Sequence, residues 1–250
     1  MDIKGLTAIV TGASGRLGSA IAAGLAARGV VCLCHYHRNG QTAAALVERI
    51  ASGGGCALAV QADLSNPTDI ETLFETAKTL GTPRILINSA SLFERKPLME
   101  LDAVAIQRTL AVNLTAPMLM CRYFTQAVKT AGLTDSQTGL PVAKIINLTD
   151  AAAKKPWAEY AAYCASKAGL VGLTVALAKE LAPAITVNAI APGIVTATEP
   201  MSQHEEKKQL ARIPAGRFGR PEEIVRSILF LLDNDYITGQ TLAVDGGRTI

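Results

Sequence analysis

The stretch DAAAKKPWAEYAAYCASKAGL, residues 150–170, holds one aspartate, two tyrosines and, toward its end, a lysine set in apolar sequence. Residues four apart on a helix lie one above the other, whereas residues seven apart share a face but sit about 10 Å apart along the axis. Tyr163 is four residues before Lys167 and Tyr160 is seven before it. An ammonium beside a phenol favours the phenolate, lowering a pKa that is ordinarily about 10 and making the hydroxyl a better proton donor near neutrality. Tyr163 is the candidate general acid, with Lys167 as its partner and Tyr160 as a packing residue. Asp150 stands thirteen residues before Tyr163; capping a following turn is its structural alternative.

A second group of residues suits phosphate. Thr11, Gly12, Gly15 and Gly18 in TGASGRLG follow an apolar run and open a helical pattern, the context in which glycines let the backbone approach a pyrophosphate at a helix N-terminus. A site selective for NAD places Asp or Glu roughly 20 residues beyond that turn, on the ribose hydroxyls. Here the second strand ends in His35, Tyr36, His37, Arg38 and Asn39, and the next acidic residue is Glu48. Arg38, with Arg16 from the glycine turn, matches a 2′-phosphate, because a guanidinium donates two parallel hydrogen bonds. The expected cofactor is NADPH. Asp63 in ADL, residues 62–64, is expected near the adenine edge, or else Asp63 or Ser65 caps the next helix.

Stepping along the chain, runs rich in Val and Ile alternate with longer stretches of helical period, which reads as βαβ units around a parallel sheet covered on both faces. Strands are expected at 6–11, 30–35, 57–62, 84–89, 142–148, 184–190 and 240–244, and helices near 17–28, 41–52, 68–80, 102–131, 159–181 and 221–232. The fold class is α/β, a single-domain Rossmann-type doubly wound sheet of about seven parallel strands over 1–250. Ligands of that fold bind beyond the carboxyl ends of the strands. Residues 192–220, opened by Pro192 and Gly193, read as a long irregular loop and a candidate lid.

Composition excludes several classes. With 49% hydrophobic and 18% charged residues among 250, the chain can bury a large core. Its formal charge of +3 comes from dispersed basic residues, so nucleic acid is not an expected partner. No run approaches the roughly 18 apolar residues of a membrane span, and charges at Asp2 and Lys4 precede a glycine turn too early for a secretory signal. The five cysteines form no CxxC pair and suit reduced, buried thiols in a cytoplasm.

The motifs TGASGRLG, ADL, NSAS at 88–91, Asn113 in AVNLTAP, YCASK at 163–167, PG at 192–193 and VDGG at 244–247 occur in one order along the chain. In that order and spacing the sequence resembles the short-chain dehydrogenase/reductase family over essentially its whole length. The resemblance implies that Tyr163 protonates a substrate, that Lys167 also binds the nicotinamide ribose, and that Asn113 helps hold a water-linked proton relay. It implies a cofactor site built from Gly12, Ser14, Arg16 and Leu17, from the strand end at His35 to Arg38, and from Asp63 and Leu64. Asn88, Ser89, Ala90, Ser91, Pro192 and Gly193 complete that site. It also implies a homotetramer assembled through two long helices.

Two positions depart from most of the family: Arg16 stands where glycine is usual, and Asp150 where serine is usual. Both departures, with HYHRN at 35–39, QADLSN at 61–66 and SASLFERKPL at 89–98, are similar to the pteridine reductase branch. That likeness implies a pterin as substrate, Phe93 stacked on its flat ring, and Asp150 directed at a ring nitrogen rather than a ketone oxygen. Reduction of a C=N bond needs hydride at carbon and a proton at nitrogen, and a carboxylate pairs with N–H groups more strongly than a hydroxyl does. A carbonyl or 3-oxoacyl thioester reductase is the second reading, and an NADPH-binding redox sensor without turnover the third.

Overall fold

Short strands such as TAIV and AKIINL are buried along their whole length, as expected where helices cover both faces of a sheet. The computed structural model describes residues 1–133, 139–195 and 202–250. Seven parallel strands lie in the order β3-β2-β1-β4-β5-β6-β7. They are β1 (Thr7–Val10), β2 (Val31–Tyr36), β3 (Cys56–Gln61), β4 (Pro83–Asn88), β5 (Ala143–Leu148), β6 (Ile185–Pro192) and β7 (Thr241–Val244). The order reverses between β1 and β4, and this switch point opens a crevice at their carboxyl ends.

Side chains alternate across the sheet, so each strand feeds two cores. Ala8, Val10, Cys32, Cys34, Ile85 and Ile87 face one layer, built from α1 (Arg16–Ala26), α2 (Gly40–Ser52) and α8 (Pro221–Asp233). Ile9, Leu33 and Leu86 face the other, where Phe74 of α3 (Pro67–Lys78) and Phe124 of α5 (Ala116–Thr130) pack. Each fully buried Leu, Ile or Phe contributes about 1.5–3 kcal/mol, so both layers hold the strand ends rigidly. Four of the five cysteines are buried; Cys56, expected to be buried, is exposed because it opens the outermost strand, β3.

Two elements differ from the expected pattern. The helix expected at 102–131 is α4 (Ala103–Leu110), then a π-helical turn over Ala111–Thr115, then α5. The widened turn contains Asn113, fully buried, and such bulges often mark functional sites. The stretch expected to be irregular at 192–220 contains regular structure: β6 runs to Pro192, and α7 (Gln203–Leu210) opens with a capping box between Ser202 and Glu205. Residues 196–201 of that candidate lid lie outside the described residues.

α6 (Ala161–Leu181) is long and apolar enough by composition to cross a membrane. In this fold it lies against β6 and α4 and buries Tyr163, Ser166 and Lys167.

Gly12 closes the gap between β1 and β4. Its φ is +67°, and a Cβ there would stand 2.8 Å from the Ala90 Cα. Gly12→Ala is expected to cost at least the 1–3 kcal/mol of a strained backbone, read as a lowered denaturation midpoint in urea, and to widen the crevice enough that cofactor titration shows weaker binding.

Candidate active site

The first strand ends in a bracket made of backbone donors and one hydroxyl. Thr11 Oγ1 accepts from the N–H groups of Ser89 and Ala90 at 2.9 and 3.0 Å, and itself donates to the Ile87 carbonyl at 3.4 Å. The loop after β4 is thereby fixed to the glycine turn. Gly18 admits no side chain, because a Cβ would stand 2.2 Å from the Gly12 carbonyl oxygen. α1 begins at Arg16 with no acidic residue in its first turn, so its positive dipole end suits an anion.

His35, expected to touch a cofactor, is instead turned inward. It is 2% exposed; its Nδ1 accepts from the Gly12 N–H at 3.0 Å and its Nε2 lies 3.0 Å from the Ala62 carbonyl. An acceptor on one side and a donor on the other require the neutral ring protonated at Nε2. Burial, more than any other influence, pushes its pKa down to about 4. The ring is a strut under the phosphate turn, and no sequence rule tells which way a strand-end imidazole points.

Tyr36 ends β2, and His37 and Arg38 follow it as exposed residues at the carboxyl edge of the sheet. His37 lies 3.7 Å from Asp63, whose carboxyl is held below the ordinary range chiefly by hydrogen bonds from Ser65, with weaker help from His37 and Arg38. The cap expected from Asp63 or Ser65 is supplied by Asn66, which accepts from the Thr68 N–H at 3.1 Å. Asn88 points away from the crevice: its amide donates to Asn147 at 2.9 Å inside the sheet.

A cleft of about 340 Å³ lies in this crevice. Gly12, Gly15, Arg16, Leu17, Ser89 and Ser91 line one end, and Pro192 and Gly193 lie across from them. Phe93, Asp150, Trp157, Tyr163 and Lys167 form the other end. Ser14, Leu64 and Ala90 belong to the same loops without lining this cleft.

At its centre the Tyr163 hydroxyl donates to Asp150 Oδ2 at 2.8 Å. Asp150 Oδ1 accepts from the Ala152 N–H at 2.7 Å, so this residue caps a short 3₁₀ turn and bonds the tyrosine at once. Lys167 reaches past the phenol ring to the Leu148 carbonyl at 2.8 Å. Burial lowers the Lys167 pKa to about 8 and raises that of Asp150. The expectation that Lys167 lowers the Tyr163 pKa does not hold in this arrangement: burial, and then the adjacent Asp150 charge, drive it upward. The phenol keeps its proton and donates it in a hydrogen bond to the carboxylate.

Asn113 uses its whole amide as a brace. Its Oδ1 accepts from the Leu92 N–H at 2.7 Å and lies 3.3 Å from Ser91 Oγ, while its Nδ2 donates to the Leu92 carbonyl and to Ser166 Oγ at 2.9 and 3.1 Å. The side-chain amide is fully engaged, so the water-linked relay expected at Asn113 is left to groups other than that amide. The brace instead fixes the loop carrying Phe93, whose ring stacks on Tyr160 at 4.8 Å and meets Tyr163 edge-on at 4.9 Å. Trp157 lies nearly parallel to the Tyr163 ring at 6.4 Å. Glu159, at φ 68°, is a left-handed residue held by Arg95, whose Nε donates to it at 2.7 Å, and by the Lys96 N–H, which donates to its carbonyl at 2.7 Å. Strain of this kind persists at sites that the surroundings over-determine.

A doubly wound sheet, a glycine turn at its switch point and a tyrosine and lysine one helical turn apart in the crevice define a dinucleotide-dependent oxidoreductase. A family model described as enoyl-(acyl carrier protein) reductase matches residues 12–249, and the chain belongs to the short-chain dehydrogenase/reductase family. It is 36% identical over 248 residues to a 3-oxoacyl-[acyl-carrier-protein] reductase of Synechocystis sp., covering 97% of this chain and 96% of that one. It is 36% identical to 3beta-hydroxysteroid dehydrogenase 1 of Eggerthella lenta, covering 100% and 95%. Among solved structures it is similar to FolM alternative dihydrofolate reductase 1 of Brucella canis complexed with NADP, with a TM-score of 0.88, 31% identity and coverage of 99% and 95%.

The inward His35 sets a pH dependence of stability. Its folded pKa is depressed from 6.5 to about 4, so its contribution is fully present above pH 6.5 and is lost as pH falls toward 4, where the unfolded chain binds the proton first. At about 1.4 kcal/mol per pH unit the loss is roughly 3 kcal/mol. Urea denaturation of wild type and His35→Gln at pH 7 and pH 4.5 is expected to show a gap that narrows at the lower pH; a gap independent of pH contradicts the neutral ring.

Proposed function

We propose that this protein is an NADPH-dependent pteridine reductase, converting dihydropterins to tetrahydropterins. NADPH supplies a hydride to the substrate carbon. Arg16, at the start of α1, and Arg38, just past β2, would hold its 2′-phosphate, while the glycine turn and the first turn of α1 would take its pyrophosphate. The glycine cradle supports that fit, since a Cβ at Gly12 or Gly18 would fill it. Lys167, anchored on the Leu148 carbonyl, would bind the nicotinamide ribose.

The observation that carries the reading is the bond from Tyr163 to Asp150 at 2.8 Å, at a position where most of the family has serine. A pterin C=N bond gains a proton at nitrogen, and Tyr163 gives up the hydroxyl proton that Asp150 holds in line. Burial raises the Asp150 pKa, which lets the carboxyl take a proton from solvent and return it to the phenolate. Trp157 and Phe93 offer flat apolar walls to a planar ring. Phe93 is half exposed and, by leaving Tyr160, has a face to present to that ring. The likeness to FolM supports the same substrate class. Exposed Leu98, Met99, Val104 and Met118 near α4 and α5 suit burial in a homotetramer, which a cytoplasmic reductase of this family would form.

A 3-oxoacyl thioester reductase is the competing reading, favoured by the name of the Synechocystis relative. Asp150→Ser separates the two. Dihydropterin reduction is expected to fall at least tenfold, because a charge-assisted bond of about 1.5–3 kcal/mol and part of the proton path are lost. Reduction of a simple ketone is expected to hold or rise, the serine hydroxyl donating to its oxygen. The measurement is the ratio of kcat/KM for the two substrates, with NADPH affinity as the control; an unchanged ratio sinks the pterin reading.

Arg16→Ala with Arg38→Ala tests the cofactor separately. Fluorescence titration is expected to show NADPH weakened far more than NADH, and equal losses contradict the assignment of the two arginines.

A further inference from the structure

We infer that Arg248, with Arg212 and Lys155, forms a subsite behind Trp157 for a carboxylate carried on the substrate, away from the bond that is reduced. Arg248 follows VDGG at the end of β7 and is 8% exposed. Its guanidinium lies over the Trp157 ring, 5.8 Å from the centroid, and Trp157 lines the cleft beside Asp150. One terminal nitrogen, Nη2, donates to Gln209 of α7 at 3.0 Å. The other, Nη1, is buried without a hydrogen-bond partner. A charged donor left unpaired out of water is costly, and it persists where an absent partner completes it.

The surroundings say what that partner is. Lys155 Nζ donates to the Arg248 carbonyl at 3.3 Å, and Arg212 stands near enough that its charge opposes that of Arg248. Among the described residues none of these three cations forms an ion pair with a carboxylate. The two acidic groups whose charge reaches Arg248, Asp150 and Asp245, are engaged elsewhere. Asp150 accepts from Ala152 and Tyr163, and Asp245 accepts from the N–H groups of Gly247 and Thr249. A guanidinium with one buried, unpaired nitrogen and two further cations near its residue therefore calls for an anion from outside the chain. The planar fork matches a carboxylate in two parallel bonds. Trp157 holds the guanidinium in place by cation–π attraction, and Gln209 ties it to α7.

This inference deepens the pterin reading by naming a class within it, pterins with an acidic side chain. The test measures steady-state kinetics of the full chain with NADPH on two pairs: a dihydropterin with a carboxylate-bearing side chain against one with a neutral side chain, and acetoacetate against its ethyl ester. Arg248→Met is expected to raise KM for the carboxylate member of whichever pair is reduced at least tenfold and to leave the neutral member within threefold. Arg248→Lys is expected to recover part of the loss, and Arg212→Met or Lys155→Met to raise the same KM two- to fivefold. NADPH affinity, unchanged in every variant, shows that the fold is intact. Added salt is expected to weaken the carboxylate substrate alone.

Equal losses on both members of a pair, or a wild-type enzyme indifferent to the carboxylate, overturn the subsite. Turnover of the ketoacid pair without either pterin overturns the pterin reading while the Arg248 comparison still decides the subsite. Turnover of neither pair with NADPH bound overturns both.

Discussion

The hydrogen bond from the Tyr163 hydroxyl to Asp150 is the constraint around which the cleft is arranged. A buried carboxylate would ordinarily be a liability, since removing it from water favours its neutral form. Here each of its oxygens has a donor, Ala152 N–H on one and the phenol on the other, and Lys167 adds a stabilising charge. Burial brings the lysine down to about 8 and lifts the aspartate, while burial and the Asp150 charge hold the phenol in its protonated, donating form. A serine in place of Asp150 would remove the charge that sets this balance.

The rest of the fold keeps that pair still. Asp150 extends from β5 and Tyr163 lies in the first turns of α6, so their separation depends on how the sheet carries the helix. Asn113, in the π turn between α4 and α5, joins the loop after β4 to Ser166 on α6. Across the switch point, Thr11 fastens the same loop to the glycine turn, and His35 props that turn from below. The cofactor cradle and the proton donor are thus referenced to one loop, residues 89–93, so a displacement there would be felt at both.

Much of this could be read in the sequence, for physical reasons. Buried parallel strands are uninterrupted apolar runs, so the expected strands match those observed to within a residue or two at each end. Helical spacing paired Tyr163 with Lys167 and separated Tyr160, which instead begins α6 and stacks on Phe93. α7 escaped because QHEEKKQL has no apolar stripe, although Ser202 and Glu205 three residues apart are a capping-box signature. The inward turn of His35, the Asn113 brace and the position of Arg248 over Trp157 depend on which way side chains point across the fold, and periodicity carries no such information. The rise of the Tyr163 pKa has a related reason: helical spacing reveals Lys167 four residues away, but neither the burial of the phenol nor the carboxylate delivered from beyond the end of β5.

The central claim is that Tyr163 and Asp150 act as a single acid. The most direct measurement is a double-mutant cycle on kcat/KM for a dihydropterin, using Asp150→Ser, Tyr163→Phe and the combined variant at saturating NADPH. If the carboxylate works through the phenol, the combined variant will be within about threefold of Tyr163→Phe alone, because the aspartate has no proton path left to support. Losses that multiply, each substitution costing as much in the other's background as in wild type, would mean that the two residues act independently and would contradict the account.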